Sequence, residues 1–213
     1  MDLEHIPRSL VNILHFTKQF QSQQTKHLPQ FSSIKRHGMS VSMSLHVAEV
    51  SLRSIIGNRP LMEIKGGAIA VLLIEGLTEI EQQQVCLRSI NPSSVTISND
   101  LKRLIFRDTH NICIQGSEEP AQDSGAAPYS NYEYFEKLDI SRSDAHHDTW
   151  AVGVVLLEII VGSEFVLIAK NQEKVMWLLL HLEAHIDKVL FDMLEELLDY
   201  GCFGKATDLL NSN

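Results

Sequence analysis

Two groups of residues in the sequence have the types that could do chemistry. His146-His147-Asp148 resembles a metal-binding triplet in composition. Adjacent histidines on an extended segment point to opposite sides, and no cysteine or second acid is spaced to complete a ligand set. No metal is expected there. Cys86, Cys113 and Cys202 are scattered outside any metal or redox spacing. Cys86 sits in a mostly apolar stretch, where a thiol stays inert unless a neighbour lowers its pKa. The three therefore read as reduced intracellular thiols rather than as a disulfide framework.

Bulk properties narrow the classes further. A chain of 213 residues suits one domain, or one domain with an appendage, and 44% hydrophobic with 21% charged residues is ordinary for a globular core. A formal charge of −9 argues against nucleic acid as the main partner, because phosphate binding needs a basic surface. The opening MDLEHIPRSL carries early acids and no apolar run, so it is not read as a secretory signal. Residues 150–169 form a strongly apolar stretch, interrupted by Glu158, Ser163 and Glu164. Charges at bilayer depth are costly, so this is expected to be a helix buried on all sides in a protein core and not a membrane span.

The elements that must position any site follow from periodicity. The alternation Ser40-Val41-Ser42-Met43-Ser44-Leu45 predicts a half-buried strand, and a short helix is expected from Ser51 to Gly57, with Pro60 after the turn. Ile69, Leu72, Leu73, Leu77 and Ile80 recur at helical spacing within 65–84. The loop LRSINPSS follows, then strands at 95–98 and 104–106 around the turn Asn99-Asp100. Residues 117–128 are acidic and rich in Gly, Ala and Pro, which predicts an exposed loop. A buried helix is expected at 148–161, one long amphipathic helical stretch at 173–198, and a last helix near 206–210, with Tyr200-Gly201 as a stop. The chain is thus expected to be mainly α with a small β-hairpin, an α+β fold.

That order resembles the larger lobe of protein kinases. Leu87-Arg88-Ser89-Ile90-Asn91-Pro92-Ser93-Ser94 stands where the family has H-R-D-L-x-x-x-N, and the hairpin after it resembles the lead into D-F-G. Asp148-Thr149-Trp150-Ala151-Val152-Gly153-Val154 resembles D-x-W-S-x-G-V at the family's central buried helix. Residues 50–56 resemble the helix after the hinge, and 65–84 the helix that enters the catalytic loop. Each motif alone is weak, and their order carries the resemblance. It implies residues 47–213 as a kinase-like C-lobe built around the buried helix, and 1–46 as a poorly defined remnant of a small lobe.

The resemblance also implies what is lost. Phosphoryl transfer needs a carboxylate to orient the substrate hydroxyl and accept its proton. Ser89 holds that position, and its hydroxyl cannot serve as a base near neutral pH. Ser94 replaces the metal-binding Asn. One register puts D-F-G at Phe106, Arg107 and Asp108, which removes the magnesium carboxylate; a shift of two would place Asp108 there, leaving Thr109 and His110 unmatched. In the first register Arg107 falls in the family's internal hydrophobic column beside Leu87. A charge does not suit that column, so either it is broken or the register is one residue off. No Gly-rich phosphate loop or strand lysine is present, and roughly 45 residues before the hinge are too few for a small lobe with those parts.

What the resemblance keeps is structural. Asp148 matches a residue whose carboxylate accepts catalytic-loop amides, and Trp150 opens the buried helix. Glu133 matches the glutamate closing the activation segment, with Lys205 as the nearest candidate partner. Arg88 is expected either to meet a phosphate on 117–129 or to pair with an acid. The expected function is a pseudokinase: no catalysis, no cofactor, no metal, ATP unlikely as a ligand, and a protein partner or another domain bound inside the cell. Part of the apolar face of 173–198 is expected to be free for such a partner. The alternatives are a nucleotide-binding or weakly active serine/threonine kinase-like protein, a peptide-docking domain of the kinase non-catalytic C-lobe type, and a truncated product of a longer gene.

Overall fold

The computed structural model describes residues 8–37, 40–46, 50–56, 63–117, 128–130, 145–163, 166 and 172–198. It is an α+β chain whose elements run α1 (Arg8–Gln23), β1 (Gln30–His37), β2 (Ser40–His46), β3 (Val50–Ser51), α2 (Leu52–Ile56), α3 (Glu63–Gln82), β4 (Val85–Cys86), β5 (Val95–Ile97), β6 (Leu104–Phe106), β7 (Cys113–Ile114), α4 (His146–Val161), α5 (Gln172–Leu182) and α6 (Lys188–Leu198). The strands make three small antiparallel sheets, β1-β2, β3-β5-β6 and β4-β7, so the β content exceeds the strand at 40–45 and the hairpin at 95–106 read from the sequence.

The N-terminal segment is a helix followed by a hairpin. Phe16 and Phe20, four apart on one face of α1, are buried and stack at 6.2 Å between ring centroids. The β1-β2 register runs from Gln30 opposite His46 to His37 opposite Ser40, with a bulge between Phe31 and Ser33. Ser42 and Ser44 are exposed, as the alternation along β2 requires. The connection after α1 is fastened to α3 by one carboxylate. Glu79 Oε1 accepts the amide of Lys26 and Oε2 that of His27, each at 2.6 Å. His27 is itself buried, with Nδ1 3.0 Å from Leu104 O.

Helix α4 is the centre of the packing. From His147 to Ile159 every residue but Thr149 is buried, so it is apolar around most of its circumference, as expected for a helix enclosed by protein. Gly162 ends it with φ 91°, donating its amide to Glu158 O at 2.8 Å, a conformation that a side chain would strain. Two glycines let neighbours close in. A Cβ on Gly153 would stand 2.8 Å from Leu198 Cδ2, and one on Gly76 would stand 2.5 Å from Cε2 of the buried Phe106 ring. Gly76→Ala is therefore expected to lower stability by about 1–3 kcal/mol through overpacking, read as a fall in the urea midpoint at unchanged m-value.

The expected single helical stretch at 173–198 is instead two helices, α5 and α6. The amides of His185 and Ile186 both turn back to Leu182 O, at 2.8 and 3.1 Å, and close α5. Asp187 then starts α6, its Oδ1 accepting the amide of Val189 at 2.9 Å. Val175, Leu179, Phe191, Leu194, Leu197 and Leu198 are buried beneath the pair. Trp177, Leu180 and Val189 are exposed at 57%, 60% and 63%. The last helix expected near 206–210, Gly57 and Pro60, Tyr200-Gly201 and most of the acidic 117–128 loop lie outside the described residues.

Candidate functional site

The loop 87–94 lies between β4 and β5 and is closed on itself by short polar side chains. Asn91 Oδ1 accepts the amide of Ser93 at 2.9 Å, and Asn91 Nδ2 donates to Ser89 O at 2.9 Å. Ser94 Oγ accepts the amide of Asn91 at 2.9 Å and lies 2.8 Å from Ser89 O, to which it can donate. Ser89 Oγ lies 3.0 Å from Asp108 O and 3.2 Å from Leu87 O. Ser89 and Ser94 are both buried. Ser94 Oγ thus links a backbone amide to a backbone carbonyl, and the Ser89 hydroxyl donates to a carbonyl, the work that Ser and Asn do in tight turns.

Asp148, in the first turn of α4 and wholly buried, holds the loop from below. Its Oδ2 accepts the amide of Leu87 at 2.6 Å and its Oδ1 that of Arg88 at 2.8 Å. Arg88 has φ 57°, a left-handed backbone that a non-glycine residue adopts only when its surroundings hold it there. Burial pushes the Asp148 carboxyl up to about 6, against the two amide hydrogen bonds and the Arg88 charge, which favour the ionised form. Arg88 is buried, and its Nε donates to Asn111 O at 3.0 Å, so the guanidinium is committed to the backbone that leads into β7. Leu87 is fully buried. Trp150 Nε1 donates to Pro128 O at 2.9 Å and fastens residues 128–130 to α4.

The hairpin settles which residue stands beside the loop. Phe106 pairs with Val95 in the ladder, and its ring is buried near Gly76 and His27. It faces the core, and its ring offers no ligand to a metal ion. Arg107 follows it, donating its amide to Ser94 O at 2.7 Å, with an exposed side chain whose Nη2 lies 3.4 Å from Ser93 O. The charge is therefore at the surface and not in a hydrophobic column. Asp108 is the one acid in 103–117, and its carboxylate contacts Nδ1 of His110.

His146, His147 and Asp148 are not on an extended segment but in the first turn of α4, where successive side chains fan out by about 100° and do not converge. Among the described residues, no group of three or more His, Cys, Asp or Glu is placed to hold a metal ion. Among the same residues, no helix is long and apolar enough to cross a membrane. Glu133 and its candidate partner Lys205 lie outside the described residues.

A second polar cluster escaped the sequence reading. Glu158, fully buried in α4, meets both Arg53 of α2 and the hydroxyl of Tyr129. Arg53 also donates Nη2 to Tyr129 Oη at 2.7 Å and Nη1 to Ser163 Oγ at 3.0 Å, and its amide donates to Pro92 O at 2.8 Å. One arginine thereby links the helix after β3, the loop 87–94 and the central helix. The signal was present: an acid inside an otherwise apolar helix requires a partner. Its partner stands 105 positions away in sequence, beyond the reach of local pattern.

Compared with known proteins, the chain matches no family model, and no curated protein matches it.

Proposed function

We propose that this chain is a catalytically inactive, kinase-like domain that works inside the cell by binding another protein. The observation that carries the reading is the loop 87–94: a carboxylate below it holds its backbone, while no carboxylate on it faces outward. Phosphoryl transfer is largely positioning and charge neutralisation by metal ions, with a base for the attacking hydroxyl. Under this reading Ser89 holds the base position, Ser94 one metal position, and Phe106 the other, or Arg107 if the register is one residue on. A guanidinium there would repel a divalent cation. Helix α1 contains no Asp or Glu to pair with a phosphate-binding lysine.

The binding surface in this reading is the outer face of α5 and α6. Trp177 and Leu180, three apart on α5, are more than half exposed, and the His181 ring lies over Trp177 at 3.7 Å between centroids. Large exposed apolar side chains that share a face mark interaction sites more often than chance positions do. The double substitution Trp177→Glu with Leu180→Glu is expected to change stability by less than about 1 kcal/mol, since neither residue is in the core. It should also abolish self-association in light scattering, or capture of a partner by the full chain. A wild-type chain that is monomeric and captures nothing that the double variant loses would refute the binding role. The competing reading, a nucleotide-binding or weakly active kinase, would rest on Asp108, which is already engaged with His110.

A further inference from the structure

Cys86 and Cys113 are 27 residues apart in sequence and stand directly opposite each other in the β4-β7 ladder. Opposed Cα atoms in an antiparallel pair are about 4.5–5.5 Å apart, inside the range that a disulfide spans. Both side chains are buried, reduced thiols, and Cys113 Sγ lies 3.9 Å from Cys86 O. We propose that Cys86 and Cys113 are a redox-responsive dithiol, closed by a peroxide into a disulfide that staples β7 to the root of the loop 87–94. This assignment is independent of the function proposed above.

The surroundings give the two sulfurs different parts. A hydrogen bond from Cys86 holds the Cys113 thiol below its ordinary range, against burial, with the charge of Arg88 helping. The same hydrogen bond, together with burial, pushes the Cys86 thiol well up. Cys113 is thus the sulfur that attacks: its thiolate takes one oxygen of hydrogen peroxide, the O–O bond breaks, and one water leaves after protonation. Cys86 then attacks the sulfenic sulfur of Cys113, the S–S bond forms, the S–O bond breaks, and a second water carries off the oxygen. Two thiols and one peroxide become one disulfide and two waters, with two electrons passing from sulfur to oxygen. Access comes through β7, which is only two residues long, has Ile114 exposed at 55%, and is followed by the exposed Gly116. So short a ladder opens locally at low free energy.

The consequence is mechanical. Cys86 adjoins Leu87 and Arg88, whose amides Asp148 holds, and Asn111, two residues before Cys113, accepts the Arg88 side chain. A disulfide at this point would fix the segment that leads away from β7 against the loop, and reduction would release it.

The test treats the folded full-length chain with hydrogen peroxide, blocks remaining thiols, and maps peptides without reduction. The expected product is a Cys86–Cys113 link that dithiothreitol reverses, absent in Cys113→Ser and unchanged in Cys202→Ser. Exchange of the Gln115 amide, which donates to Gln84 O at 3.0 Å, should slow in the oxidised form, by about tenfold. Both thiols still free, a link to Cys202, or irreversible sulfinic acid at either position in place of the link would each overturn the proposal. So would a disulfide that leaves exchange at Gln115 unchanged, since the staple would then hold nothing.

Discussion

Arg53→Ala is expected to destabilise the protein by about 3 kcal/mol, more than its partly exposed position suggests. The reason is asymmetry across the pair. Arg53 is 32% exposed in its side chain, while Glu158 is fully buried. Removing the arginine leaves a buried carboxylate that, among the described residues, has the hydroxyl of Tyr129 alone to meet it, and an unpaired buried charge is costly. Removing the acid instead leaves a guanidinium that can turn toward water, so Glu158→Gln should cost about 1–2 kcal/mol. The double change Arg53→Met with Glu158→Leu should recover most of the loss, because replacing both partners by apolar groups removes the desolvation penalty altogether. Urea unfolding of the four proteins gives the comparison. If Arg53→Ala and Glu158→Gln were equally mild, the cluster would be a solvated surface pair.

Asp148→Ala is the second large effect, at about 3 kcal/mol near pH 7, since it strands the buried amides of Leu87 and Arg88 together. It also carries a pH signature. Burial lifts the carboxyl to about 6, above the roughly 4 of an unfolded aspartate. The native state therefore holds this proton more tightly than the unfolded chain does. The contribution of Asp148 to stability falls as pH rises from about 4 to about 6, and is flat above that. The gap between wild type and Asp148→Ala should accordingly narrow, by about 2 kcal/mol, between pH 4.5 and 7. A gap that widened over that window would mean that the amide hydrogen bonds outweigh burial and that the carboxyl is depressed.

Local pattern carried the sequence reading furthest where elements are built from near neighbours. Helix α3, the strands at 95–97 and 104–106 and the buried helix α4 follow from apolar spacing and turn residues, and the structure places them within a few residues of the expected bounds. Helix α1 was not read from the sequence, because its polar face is Gln-rich without the i, i+4 ion pairs that mark a solvated helix. The break between α5 and α6 was missed because apolar spacing continues through Ile186, although Asp187 is an ordinary N-cap residue.

The site was legible in its residues and not in its geometry. Asp148, Trp150, Arg88, Ser89 and Ser94 were all singled out, and the strand Leu104–Phe106 has the bounds expected of it. Composition alone does not say which of Phe106 and Arg107 turns inward. Only the pairing of Phe106 with Val95 fixes which side chain enters the core. The opposition of Cys86 to Cys113 and the convergence of Arg53, Tyr129 and Glu158 are long-range contacts, which no spacing within one segment encodes.

The claim that this domain has kept a kinase-like shape without its chemistry is tested most directly by thermal unfolding of the full chain with ATP, with and without magnesium or manganese. A ligand that binds only the folded state at a hundredfold its dissociation constant adds about 2.7 kcal/mol. For a domain of this size that is a rise of about 5–10 °C in Tm. With Ser89, Ser94 and Arg107 around the loop, the account predicts no shift under any of these conditions. A clear rise that requires the metal would contradict it.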